Sequence, residues 1–209
     1  VYLHYALDLW FERVVKPLCK GEAIMCRYAD DWVCAFRYKR DAERFYQMLP
    51  KRLQKFNLNV EPNKTQILRF SRFHPGMERR FSFLGFEFFW FLDRKGTPRV
   101  MRRTARKKLR ACLKRVTEWI RDNRHKKKRW FFKTLSIKLL GHYNYYGVRG
   151  NSRSLWKFYD EVMKICFKWL NRRSQRRSYT WEAFKRLLSY ISLAKPRITK
   201  LKRLHRVAC

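Results

Sequence analysis

The apolar residues change their period near Thr104, and that change divides what the chain can fold into. Beyond it, Leu109, Cys112, Leu113, Val116, Trp119 and Ile120 recur every three or four positions, with Arg110, Lys114 and Arg121 off the stripe. That is the pattern of an amphipathic helix. A second helix is predicted over roughly residues 131–146, closed by Gly147 and Gly150. A third carries Leu155, Phe158, Val162, Ile165 and Trp169 behind a cap at Asn151 or Ser152, and a shorter fourth starts at Thr180 with Glu182 near its N-terminus. Ahead of Thr104 the runs are shorter. Leu3, Leu7, Trp10 and Val14 have helical spacing, Pro17 to Gly21 breaks it, and residues 41–56 read as a helix kinked at Pro50. Residues 61–70 read as a turn entering a strand, and 81–92, apolar at both alternating positions, as a strand covered on both faces. The expected class is α+β, a small antiparallel sheet with helices followed by a helical bundle. The expected divisions are 1–100, 101–178 and a basic helix and tail over 179–209.

Charge follows the same division. Lys and Arg outnumber Asp and Glu by 19 to 11 over residues 1–100 and by 33 to 5 over 101–209, for a net charge of +36. A chain that is 46% hydrophobic still builds a core. Such a surface repels itself until a polyanion neutralises it, so nucleic acid is the expected partner. A membrane is not. The longest apolar run, 81–92, is too short to span a bilayer and contains Glu87. The first residues include Asp8 and Glu12 without a basic leader. The six cysteines form no CxxC pair, so no zinc or disulfide framework is expected. Cys26 and Cys34 read as small buried strand residues, and a reducing, cytoplasmic location is the expectation.

The scarcity of acids makes "RYADDW", residues 27–32, informative. Two short apolar arms, 23–28 and 32–36, flank adjacent Asp30 and Asp31, which is a hairpin pattern with the acids at its tip. Aspartate favours turns, so a solvated turn would account for one acid. Two neighbouring carboxylates repel each other, and a divalent cation resolves that conflict. Mg²⁺ is a hard ion that takes one or two carboxylates and completes its shell with water and phosphate oxygens, which suits phosphoryl transfer on nucleic acid.

Downstream of this turn, "NVEPNKT" (59–65), "FSFLGFEF" (81–88), "LLGHYNYYGV" (139–148) and the basic stretch 154–184 follow in order. The series resembles the reverse transcriptases encoded by bacterial group II introns, from Val1 to about Ile198, including their maturase-specific thumb. The resemblance implies a partial reverse-transcriptase palm followed by a helical thumb. It implies Asp30 and Asp31 as Mg²⁺-binding catalytic carboxylates, with Tyr28 and Ala29 beside the primer end and incoming dNTP. Asn63 and Lys64 match the turn whose lysine lies near the nucleotide phosphates, which implies Lys64 as a third catalytic residue, steadying the leaving pyrophosphate or donating a proton. Phe83, Leu84, Gly85 and Phe86 match the primer-grip hairpin, where glycine permits close backbone approach. The implied partners are group II intron RNA and an RNA–DNA hybrid or primer–template.

The family's further catalytic aspartate, on a strand beside the YADD hairpin, has no counterpart here. Asp8 lies in a helix-patterned run, and the chain starts, at a valine, 29 residues before Asp30. A truncated product, a GTG start or a partial reading frame is therefore expected, the chain being inactive in polymerisation by itself, with an RNA-binding module as the alternative. No HNH-like Cys/His cluster follows the thumb, so no endonuclease domain is expected. In the back half, Lys126, Lys127, Lys128 and Arg129, and Arg172, Arg173, Arg176 and Arg177, are the expected phosphate contacts. His142, Tyr143, Tyr145 and Tyr146 could stack on bases or fill the core.

Overall fold

A computed structural model describes residues 2–75, 79–173 and 178–199. The chain is α+β and divides into two compact units, one of residues 1–84 and 88–100, the other of 85–87 and 101–209.

The first unit begins with helix α1 (residues 2–18), which contains two π-helical turns, His4–Asp8 and Phe11–Val15. In them the backbone N–H of Leu9 reaches back to His4 and that of Lys16 to Phe11. The wider turns bring Ala6, Leu7, Trp10, Phe11 and Val15 onto the buried face. Val14, expected inside from its helical spacing, is 41% exposed. Strands β1 (Ala23–Tyr28) and β2 (Asp31–Phe36) form an antiparallel hairpin, and α2 (Lys39–Gln54) packs against the same core. Helix α2 starts two residues earlier than predicted and continues through Pro50. Phe45 is the hub, with ring centroids 5.8 Å from Trp10, 5.7 Å from Phe11, 5.3 Å from Phe36 and 6.1 Å from Trp32. Removing so central a ring costs about 3–5 kcal/mol.

Two readings of this part are corrected. Residues 65–70 form no strand; after a 3₁₀ turn at Pro62–Lys64 they run irregularly, and Phe70 rests on Phe81 and Trp90 at 5.1 and 5.3 Å. An extended, apolar-patterned run becomes a strand only where a partner offers a ladder. Residues 81–92 are two strands, β3 (Phe81–Phe83) and β4 (Phe86–Leu92), which pair with each other; β4 also pairs with β5 (Pro98–Thr104). Phe91 and Leu92 are about half exposed, and Glu87 is the buried member of β4. That acid accepts from Arg103 Nε at 2.6 Å.

The second unit holds α3 (Arg106–Asn123), α4 (Lys128–Tyr146), α5 (Ser152–Leu170) and α6 (Trp181–Ile191) around one core that includes Ile120, Phe132, Leu139, Phe158, Cys166 and Phe184. On α5, Met163, Cys166 and Leu170 are buried, whereas Ile165 and Trp169 stand at the margin. Thr180 caps α6 by accepting the N–H of Ala183 at 3.2 Å. Asn151 does more than start α5. Fully buried, its Oδ1 accepts from the backbone of Thr104 at 2.8 Å, and its Nδ2 donates to Thr104 Oγ1 and the Tyr146 carbonyl, both at 2.9 Å. The ends of β5 and α4 and the start of α5 are thus tied through one amide.

Candidate functional site

The register of the first hairpin runs from Ala23 opposite Phe36 to Tyr28 opposite Asp31, leaving Ala29 and Asp30 as a two-residue turn. Alternation along β1 turns Ala23, Met25 and Arg27 inward and leaves Ile24, Cys26 and Tyr28 exposed. Cys26, expected inside, is therefore on the open face, while Cys34 lies opposite Met25 on the covered one. Burial pushes the Cys34 thiol up to about 12. Tyr28, 67% exposed, shares the open face with Asp31. Ala29 has φ 55°, a left-handed conformation that hairpin turns usually give to glycine or asparagine. Asp30 and Asp31 are exposed, and neither carboxylate has a hydrogen-bond or ion-pair partner among the described residues.

The nearest cation in sequence is engaged elsewhere. Arg27 donates from Nε and NH2 to the two carboxylate oxygens of Asp8, and from NH1 to the Ala29 carbonyl at 2.7 Å. These bonds hold the Asp8 carboxyl below its usual range. The pair escaped sequence reading because its members are 19 residues apart on different elements. A signal existed: an arginine at an inward position of a strand needs a partner.

Asn63 and Lys64 sit in the exposed 3₁₀ turn, and no hydrogen bond or ion pair joins them to Asp30 or Asp31. Phe83 ends β3 and Phe86 opens β4, with Leu84 (φ 49°) and Gly85 (φ 77°) as the turn between them. Two consecutive positive φ values match the I′ turn of tight hairpins. The close approach at Gly85 comes from within the protein. A Cβ there would lie 2.9 Å from the Tyr146 hydroxyl, and the Gly85 carbonyl accepts from the Ala105 N–H at 2.9 Å. Phe86 meets the ring of Tyr146 edge-on at 5.3 Å and stacks with Tyr145 at 6.0 Å.

In the helical unit, Lys126, Lys127, Lys128 and Arg129 are all exposed where α4 begins. The second basic run reaches them, since Arg173 donates to the Lys126 carbonyl at 3.0 Å. Trp169 packs at the margin of the core and is only partly buried. Arg124, Arg172 and Lys168 lie 5.1, 5.6 and 5.9 Å from its ring, so it supports the cations and is a functional candidate the helical stripe concealed. Lys128 lies 5.2 Å from the ring of Tyr179. Arg176 and Arg177 fall outside the described residues. Of the four aromatic candidates on α4, Tyr143 and Tyr146 are core, and Tyr145 is 54% exposed. His142 stacks on Phe158 at 3.8 Å; burial first and Arg115 second push its pKa down to about 4.

Among the described residues no group of three or more His, Cys, Asp and Glu could hold a metal ion. The protein's offer is therefore two adjacent, unpaired carboxylates. That donor set fits a hard divalent cation whose remaining ligands are water and phosphate, and does not fit a zinc cage.

No helix among the described residues is long and apolar enough to cross a membrane. No curated protein matches the chain. Residues 2–88, which carry the β1–β2 turn, Asn63, Lys64 and the Leu84–Gly85 turn, match the family described as reverse transcriptase (RNA-dependent DNA polymerase), and this part of the chain bears that family's signature.

Proposed function

We propose that the chain is the palm-to-thumb portion of an RNA-directed DNA polymerase of the group II intron kind, which also binds intron RNA as a maturase in splicing and mobility. The observation that carries the reading is the pair of exposed, unpartnered carboxylates on a tight turn in a chain of net charge +36. The ordered motifs from Tyr28 to Phe86, within the matched span, support it. Asp30 and Asp31 would hold Mg²⁺, which would supply activation of the attacking oxygen and stabilisation of the leaving one. Tyr28, on the same face as Asp31, presents its ring to the primer end and incoming dNTP. Lys64 neutralises nucleotide phosphates, and the Phe83–Phe86 turn guides the primer. The reaction is attack of a primer 3′ hydroxyl on an α-phosphate, extending DNA by one nucleotide and releasing pyrophosphate. The basic face around Lys126 and Arg172 holds the RNA or hybrid backbone.

Primer extension on an RNA template, by the chain joined to an upstream fingers region that supplies the further aspartate, tests this. Asp30→Asn is expected to abolish Mg²⁺-dependent extension while leaving RNA affinity at or above that of the unaltered chain, because an acid near a polyanion has been removed. Equal extension by the variant overturns the catalytic reading. A second reading, RNA binding without synthesis, is favoured by the excess of 33 cations over 5 acids beyond residue 100. It prevails if the chain, joined to an upstream fingers region that supplies the further aspartate, binds primer–template tightly and still incorporates no dNTP.

A further inference from the structure

Two neighbouring carboxylates serve a cation only if no protein cation takes them first. The chain carries 52 Lys and Arg, and the one nearest in sequence to Asp30 and Asp31 is Arg27, three and four positions earlier. It bonds to neither. Its guanidinium is a planar fork, and Asp8 takes two of its N–H groups while the Ala29 carbonyl takes a third. Both members of the pair are largely covered, with side-chain exposures of 21% for Arg27 and 23% for Asp8. A bidentate pair so shielded is held in one geometry, unlike an exposed ion pair. The bond to Ala29 falls on the turn residue with φ 55°, the conformation in most need of external support.

We infer that Asp8 is a positioning residue for the carboxylate turn: by locking Arg27 it buttresses the strained Ala29 and keeps a guanidinium off Asp30 and Asp31. The inference rests on the reading of Asp30 and Asp31 as a divalent-cation site. Asp8 is thereby assigned a role from helix α1 without being a metal ligand. Removing it does two things at once. The turn loses its support, and a freed Arg27 becomes a competing counter-ion for the acids.

Mn²⁺ binding to the full chain, read from the loss of the free-ion electron paramagnetic resonance signal at fixed ionic strength, tests this without requiring synthesis. The unaltered chain is expected to bind Mn²⁺ and Asp30→Asn to lose that binding; failure here overturns the cation-site reading itself. Given that binding, Asp8→Asn is expected to weaken it roughly tenfold, as loss of an outer partner does around metal sites. Glu12→Gln, the same charge change on the same helix, is expected to leave it unaltered. Adding Arg27→Gln to Asp8→Asn is expected to recover part of the loss, because the competitor is gone. A merely structural role for Asp8 would give no recovery. Circular dichroism identifies an unfolded variant, in which case Arg27→Lys replaces it: lysine keeps the charge but cannot serve Asp8 and the Ala29 carbonyl together, and weaker Mn²⁺ binding is again expected. Mn²⁺ affinity unchanged in Asp8→Asn, or in Arg27→Lys where that variant is used, overturns the inference, as does a double variant no tighter than Asp8→Asn.

Discussion

Arg173 donates to the backbone carbonyl of Lys126 at 3.0 Å, and so brings two basic runs 47 residues apart onto one face. If that face meets nucleic-acid phosphates, affinity should fall linearly on a log–log salt plot. The slope should decrease by roughly 0.7–0.9 for each phosphate the protein no longer neutralises. Replacing Lys126, Lys127, Arg129 and Arg172 together by neutral residues should lower both affinity and slope, with helicity unchanged by circular dichroism. Arg173 is left in place because its bond closes the face. An unchanged slope in the folded variant would show that the phosphates are met elsewhere.

A different test concerns Gly85. Its φ of 77° makes any side chain there costly, and the Tyr146 hydroxyl would sit 2.9 Å from an added Cβ. Gly85→Ala should destabilise the chain by about 1–2 kcal/mol for the backbone alone, with the clash adding to it. In the Tyr146→Phe background the cost of Gly85→Ala should shrink, because the crowding oxygen is gone. Urea melts of the two single variants and the double variant measure that coupling.

His142 gives a pH signature. Its folded pKa, pushed down to about 4, lies below the ordinary 6.5, so the unfolded chain binds the proton more readily. This contribution leaves stability untouched above pH 6.5 and erodes it as pH falls from there towards 4. The slope within that window is about 1.4 kcal/mol per pH unit. His142→Phe should flatten that part of the stability profile. A profile with the same slope in both proteins would refute the assignment.

Cysteine labelling tests the register of the first hairpin. Cys26 faces outward, while burial raises the Cys34 and Cys166 thiols. A thiol-reactive dye should modify Cys26 in the native chain well before either of the others, as peptide mapping would show. The opposite order would require β1 to be slipped by one residue.

Which parts of this architecture sequence reasoning reached depended on whether one segment carried the signal. The β1–β2 hairpin and the helices beyond Thr104 were legible because their apolar spacing is local. Val14 and Val15 exchanged places because π turns alter helical phase, and no residue type announces a π turn. Cys26 misled because β1 has apolar residues on both faces, so alternation could not choose between them. Periodicity made one strand of residues 81–92, where only the resemblance marked a hairpin at Phe83–Phe86, and nothing in the apolar pattern signals the positive φ of Leu84. At the candidate site, Asp30 and Asp31 stood out by their scarcity and their place between two apolar arms, and only the ordered motifs downstream suggested a role for them. The Asp8–Arg27 pair and Arg124 beside Trp169 were not legible, since each joins segments far apart in the chain.

The helical unit's cations have few acids to answer them. Among the described residues, Asp122 pairs with Arg121 and Glu161 with Lys164, each within its own helix. Added salt should therefore act on this protein in two opposite directions. It screens the self-repulsion and firms the fold, while displacing any polyanion bound to the cations. Stability and affinity then trade against each other along one axis, ionic strength. If nucleic acid is the partner, the chain should work best in an intermediate band, and a bound nucleic acid should extend that band downward by acting as the missing counter-ion.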